Sequence, residues 1–206
     1  MANSVAIERL ERVLDDFFQV LRVRFRFTKT DGALSAPIER LVFERGDSVG
    51  VLLYNPLTDE VVLAQQLRLP VYLRENDGWL IELVAGILDA GRTPEEVARS
   101  EALEEAGYQV DRLEHLATVY LSPGACTERI HLYLAEVRHE QRLTTGGGLA
   151  ESGEDIRVLT LSVAQALEMV DDGRIRDAKT VIALQDLRRR AHRRPGASPK
   201  EGHHGS

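Results

Sequence analysis

The chain has 206 residues, enough to bury one full core, and its 43% apolar and 29% charged content is ordinary for a globular enzyme. A formal charge of -7 argues against a basic nucleic-acid binder and means that an anionic substrate would need local cations to offset repulsion. The single cysteine, Cys126, excludes an intrachain disulfide and fits a reducing compartment. With no signal-peptide pattern and no apolar run of membrane-spanning length, a cytoplasmic protein without a membrane partner is expected.

Ala6 to Phe18 is amphipathic, and Leu21 to Phe27 alternates apolar and basic residues like a strand with one wet face. Thr30-Asp31-Gly32 is a hairpin-type turn, Leu41 to Phe43 begins a second strand, and Ser48 to Tyr54 reads as a buried third. Further strands are expected over Glu60–Gln65, Trp79–Val84, Leu116–Tyr120, Ile130–Glu136 and Arg157–Leu161. Thr144 to Asp155 is polar and glycine-rich and predicts a mobile loop. Ser162 can cap a helix running through Val170, and Arg176 to Ala191 predicts the last helix. Residues 192–206 read as a solvated tail. Strands interspersed with few helices indicate an α/β sandwich.

The chemistry concentrates between Gly86 and Tyr108. Thr93 is a good N-cap, Pro94 suits the first helical position, Glu96 completes a capping box at the third, and Gly107 is placed to end the helix. Glu101, Glu104 and Glu105 then project from one helical face, where mutual repulsion raises their proton affinity unless a cation sits among them. A hard divalent metal is the natural partner of all-oxygen ligands. A solvated acidic face is the plainer alternative for the carboxylates taken alone.

The segment resembles the signature box of the Nudix hydrolases, with Gly86, Glu101, Glu104, Glu105, Gly107 and Tyr108 in register. Two positions depart from it: Arg92 stands where the family has Glu, and Ser100 where it has Arg. The resemblance extends over roughly residues 10 to 188 through Phe43-Glu-Arg-Gly46, Gln66-Leu-Arg68, Glu82 to Gly86, Ser122-Pro-Gly124 and Glu154 to Val158. It is closest to the branch acting on nucleoside diphosphate sugars. Pro123 resembles the proline of ADP-ribose members, whereas Gln165 to Met169 and Ile175 to Lys179 resemble the GDP-mannose pyrophosphatases.

That resemblance implies a Nudix-type α/β/α sandwich with a mixed sheet. Residues 1–45 would form an N-terminal β element exchanged in a homodimer, 46–191 the hydrolase domain and 192–206 a flexible tail. It implies Mg²⁺, with Mn²⁺ as the alternative, held by Glu101, Glu105 and the carbonyl of Ala85, with Glu104 ligating or orienting. Glu154 would position or deprotonate the attacking water, with Glu151 in reserve; a loop surface charge is the alternative for Glu154. Arg68 would meet a phosphate, Glu128 would lie near the terminal sugar, and Phe17 and Arg40 would contact the base. Leu41 replaces a Glu that faces the base in ADP-ribose enzymes. The expected activity is Mg²⁺-dependent hydrolysis of a sugar nucleotide, ADP-ribose to AMP and ribose 5-phosphate first, GDP-mannose to GMP and mannose 1-phosphate second. A catalytically silent nucleotide-binding regulator is the alternative of another class.

Overall fold

The computed structural model describes residues 4–149, 151 and 153–193, so the tail beyond Arg193 lies outside the described residues. Three N-terminal strands, β1 (Val5–Asp15), β2 (Gln19–Phe27) and β3 (Ile38–Glu44), pair antiparallel in chain order as a separate sheet. The amphipathic stretch at the start of the chain is therefore a strand. Its register shifts between Ile7 and Arg9 and between Arg12 and Leu14. Each bulge inserts a residue, which turns the two-residue alternation of a strand into the three- and four-residue spacing of Ile7, Leu10, Val13 and Leu14.

The body of the molecule is one mixed sheet between helices. It contains β4 (Ser48–Asn55), β5 (Glu60–Leu67), β6 (Trp79–Glu82), β7 (Val84–Ile87), β8 (Glu114–Tyr120), β9 (Arg129–Glu136) and β10 (Arg157–Ser162). The strand order is β10-β5-β4-β9-β8, with β4 and β9 parallel and the other pairs antiparallel. β4 and β5 pair only through Leu53–Asn55 and Glu60–Val62 and then diverge. The fork between them is filled by one extended segment broken at Leu83, whose first half, β6, pairs with β5 and whose second, β7, pairs with β4. The Leu83 amide freed by this break donates to Thr180 Oγ1 at 2.8 Å, so the interruption leaves no orphaned donor there.

Alternation along the central strands builds two cores. Val49, Val51, Leu53, Val62, Tyr133 and Ala135 point to one face, where Val97, Ala98, Ala102 and Ala106 of α2 (Pro94–Ala106) cover them. Leu52, Tyr54, Val61, Leu63, Leu132 and Leu134 point to the other, under α3 (Val163–Asp171) and α4 (Ala178–Arg193). Burying each large apolar side chain contributes on the order of 1.5–3 kcal/mol, so the α/β/α layering follows from the strand pattern. The short helix α1 (Leu69–Glu75) does not register in the sequence pattern: it buries no residue, carries Pro70 in its first turn and ends on Asn76 in the left-handed region, φ 58°.

A buried ionic cluster ties β5, β6 and α4 together. Glu82, only 1% exposed, accepts two bonds from the Arg68 guanidinium, 2.7 and 2.9 Å, and a third from Lys179 Nζ. Lys179 also donates to Asp177 at 2.9 Å, and Asp177 receives the Thr180 hydroxyl at 2.6 Å. Burial alone would raise the Glu82 pKa, but the bonds from Arg68 and the charge of Lys179 outweigh it and hold the carboxyl below the usual range.

Glu82→Gln leaves Lys179 and Arg68 without their shared anion, and the expected loss of stability is about 3–5 kcal/mol in denaturant titrations. Because the folded pKa is depressed, the Glu82 contribution is complete above the ordinary value of 4.5 and disappears as pH falls through the lower folded value. The stability gap between wild type and Glu82→Gln should therefore shrink in acid; a gap constant from neutral pH downward would contradict the assignment.

Candidate active site

The site is organised by α2 and the loop before it. Thr93 Oγ1 accepts the Glu96 amide at 3.3 Å, Glu96 Oε2 accepts the Thr93 amide at 2.7 Å, and the helix ends on Gly107 at φ 80°. Both the capping box and the glycine stop expected from sequence are present, so the helix is fixed at each end.

Glu101 and Glu105 stand one turn apart and face β7. Glu105 is 4% exposed, and one of its oxygens accepts the Ala85 amide at 3.1 Å. Glu101 packs so closely on the strand that a Cβ at position 86 would lie 2.0 Å from its Oε1. Gly86 is thus required for contact, and the box glycine has a steric explanation. Glu104 points outward and is exposed.

Electrostatics set this cluster apart. Burial first, then the charges of Glu104 and Glu154, push the Glu101 pKa up to about 7. Burial also drives Glu105 up to about 8, against the Ala85 amide and Arg68, which favour its anion, while Glu101 and Glu154 add repulsion. Among the described residues no three His, Cys, Asp or Glu side chains form a ready-made metal cage. The donor set nevertheless fits a divalent cation: two half-buried or buried carboxylates, each disfavoured as an anion, flanked by two more whose charges reach them. Glu101 and Glu105 would hold such an ion, with Glu104 and Glu154 beside them. For Ala85 the structure records its N–H on Glu105.

The first part of the glycine-rich loop is tied by backbone bonds to the end of α2. Gly147 N–H donates to the Glu105 carbonyl at 2.9 Å and Gly148 N–H to the Glu104 carbonyl at 3.1 Å, capping the end of α2. Leu143 N–H reaches Gly107 O at 2.8 Å, and Glu154 Oε2 accepts the Leu149 amide at 2.7 Å. The loop so brings Glu154 within electrostatic reach of Glu101 and Glu105. Glu151 is exposed.

The substrate-side candidates are dispersed. Arg68 is committed to Glu82, yet its charge also acts on Glu105 and favours the anion there. Glu128 is buried, accepting the Ser48 hydroxyl at 2.7 Å and facing Arg45 at 3.5 Å, so it braces the start of β4. Phe17 sits at the β1–β2 tip, 77% exposed and edge-on to Phe18 at 4.6 Å. Arg40 on β3 donates to the neighbouring Glu39 carbonyl at 2.9 Å. The contacts recorded for Phe17 and Arg40 stay within the N-terminal sheet. Sequence reading passed over Glu82 and Lys179 as a pair; the available signal was a carboxylate inside the apolar run Leu80-Ile81-Glu82-Leu83-Val84, where an anion must find a cation.

The raised pKa values predict a pH-dependent metal effect. In metal-free protein, Glu101 and Glu105 bind protons more tightly folded than unfolded, so their contribution to stability is complete below about 4.5 and is lost as pH rises through about 7 and 8. A divalent cation replaces those protons. The rise in Tm on adding excess Mg²⁺ should be larger at pH 8.5 than at pH 6, read by scanning calorimetry; a rise independent of pH would mean that these carboxylates are not the ligands.

The NUDIX domain matches residues 44–192. The chain is 40% identical over 186 residues to a GDP-mannose pyrophosphatase of Pectobacterium atrosepticum, covering 90% of this chain and 94% of that protein. It is 39% identical over 188 residues to a GDP-mannose pyrophosphatase of Salmonella arizonae, covering 91% and 96%. A solved structure described as an ADP compounds hydrolase superposes with a TM-score of 0.68 at 17% identity, covering 92% of this chain and 96% of that one, a likeness of fold. With the capped carboxylate helix, the glycine beneath it and a domain match spanning most of its length, this chain belongs to the Nudix family.

Proposed function

We propose that the chain hydrolyses the diphosphate bond of a nucleoside diphosphate sugar, with GDP-mannose ahead of ADP-ribose as substrate. The observation that carries the reading is the array of Glu101, Glu104, Glu105 and Glu154, gathered by α2 and the loop that caps it in a chain 40% identical to a GDP-mannose pyrophosphatase. Leu41, exposed on β3, offers no hydrogen-bond acceptor to a base, which removes one argument for adenine. The ADP-ribose reading keeps the support of Phe17 and Arg40, whose positions match adenine-contacting residues in that branch.

The residues divide the work. Glu101 and Glu105 would hold Mg²⁺, with Glu104 as a further carboxylate that ligates or orients it. When bound, the cation supplies charge neutralisation for the diphosphate and acidifies water. Arg68, kept charged by Glu82 despite burial, presents its guanidinium to a phosphate. Glu154 orients the attacking water; its anchorage to the Leu149 amide fixes the direction of the carboxylate. GDP-mannose would give GMP and mannose 1-phosphate, and ADP-ribose would give AMP and ribose 5-phosphate. Retention of all four carboxylates favours this reading over a silent binding module.

The N-terminal sheet is the proposed dimerisation element. Val5, Ile7, Leu10 and Leu14 of β1 are exposed, an apolar row that a monomer leaves wet. Exchange of this sheet between two copies would carry Phe17 to the partner's site and place an aromatic face against the base. The expected location is the cytoplasm, in keeping with one free cysteine; among the described residues no helix is long and apolar enough to cross a membrane.

The test is turnover with excess Mg²⁺ on GDP-mannose, ADP-ribose, ADP-glucose and NADH, with alkaline phosphatase added to release phosphate from the monophosphate products. GDP-mannose should lead the panel, and Glu105→Gln should abolish turnover while the fold persists. A silent panel from protein that still binds nucleotide would support the regulator instead; undiminished turnover by Glu105→Gln would remove the metal assignment. Phe17→Ala should raise KM several-fold with kcat nearly unchanged, and sedimentation should return a dimer.

A further inference from the structure

The two departures from the family box, Arg92 and Ser100, meet in space. Arg92 lies in the loop before α2 and Ser100 on the second turn of that helix, directly before Glu101. The Arg92 guanidinium reaches across the intervening residues: its Nη2 bonds Ser100 Oγ and donates to the Glu96 carbonyl at 3.0 Å. Ser100 Oγ donates to that same carbonyl at 3.1 Å, so guanidinium, hydroxyl and carbonyl close a triangle on the helix flank. On the other side, Arg92 Nη1 faces the Asp89 carboxylate at 3.7 Å, within the loop that leaves Gly86 and β7. The neighbouring cation on the helix is already occupied elsewhere, because Arg99 donates to the Val110 carbonyl at the far side of α2.

We infer that Arg92 is a positioning residue for Glu101, taking over from the loop the place that the family box gives to an arginine on the helix. The geometry supports this as one exchange. The box has an acid on the loop and a base on the helix; this chain has the base on the loop and a small hydroxyl on the helix, which leaves room for the guanidinium to lie over Ser100. The strap fixes the loop to the helix one residue before Glu101. The opposite side of Glu101 is set by contact with Gly86, where a Cβ would sit 2.0 Å from the carboxylate. Held from both directions, the side chain keeps its aim toward the cation site. A larger residue at 100 would displace the guanidinium, so the substitution at one position makes sense only with the other.

The inference rests on the divalent-cation reading of the site, and its test does not require turnover. Mn²⁺ binding to the full chain is followed by loss of the free-ion EPR signal for wild type, Arg92→Ala, Arg92→Glu, Ser100→Arg and the double variant Arg92→Glu/Ser100→Arg, with each Tm measured. Arg92→Ala should weaken Mn²⁺ binding about tenfold or more, the scale seen when a residue orienting a metal ligand is removed. Each charge-altering single variant should weaken it too, because one leaves the helix without a cation and the other sets two guanidinium groups against each other. The double variant, which restores the box, should recover to near wild type, a coupling that general loss of stability would not produce. Arg92→Ala with unchanged Mn²⁺ affinity, or a double variant no better than the worse single, would overturn the inference. Should Arg92→Ala fail to fold, Arg92→Gln, which removes the charge and half the fork, is read against the same criterion. Wild type that binds Mn²⁺ but turns over no sugar nucleotide would sink the proposed reaction and leave this result standing.

Discussion

Crowding carboxylates into a partly dry wedge is unfavourable, and much of the molecule is arranged to hold them there. Glu105 lies almost fully buried between α2 and β7, and Glu101 is pressed on a strand glycine. Left alone, the pair would relax by taking up protons or by swinging out to water. The fold blocks the second route: caps at both ends of α2 hold the helix, small residues along its inner face seat it closely on the sheet, and the glycine loop covers its final carbonyls. What remains is a site whose charge is satisfied best by a cation, which is the property that diphosphate chemistry needs.

The buried Glu82 cluster serves the same end from the other side of the fork. Interrupting a strand at Leu83 is what lets β6 serve β5 and β7 serve β4, and α4 closes the gap with Thr180 and Lys179. Arg68 is held by that cluster, so a cation whose charge reaches Glu105 is positioned by residues far away in the chain. Fold and site therefore share a single ionic framework, in which breaking a buried pair would disturb both.

How much of this was legible beforehand depended on the range of the interaction. The box helix and its caps could be read because capping chemistry is local, and the central strands because burial on two faces leaves an unmistakable apolar run over Ser48–Tyr54. β1 was obscured by its own bulges, which impose a helix-like spacing on a strand. α1 was hidden because it buries nothing and so has no apolar stripe. Glu82 with Lys179, and Arg92 with Ser100, are pairings across folds of the chain that no local pattern announces. The backbone bonds that tie the glycine loop to α2 were not legible for a related reason: polar, glycine-rich composition does not name backbone partners elsewhere in the chain.

That loop has a wider consequence. A side chain at Gly146 would meet the Glu105 carbonyl at 2.4 Å, and one at Gly148 would meet Glu154 Oε2 at 2.6 Å. Neither glycine has a side chain, yet each sets how closely the loop and its Glu154 approach the carboxylates of α2. Part of the arrangement of these carboxylates is thus written in missing atoms. Drift at these positions would displace Glu154 and the end of α2 as surely as a change in the carboxylates themselves, and a comparison of chains that followed only charged residues would not see it coming.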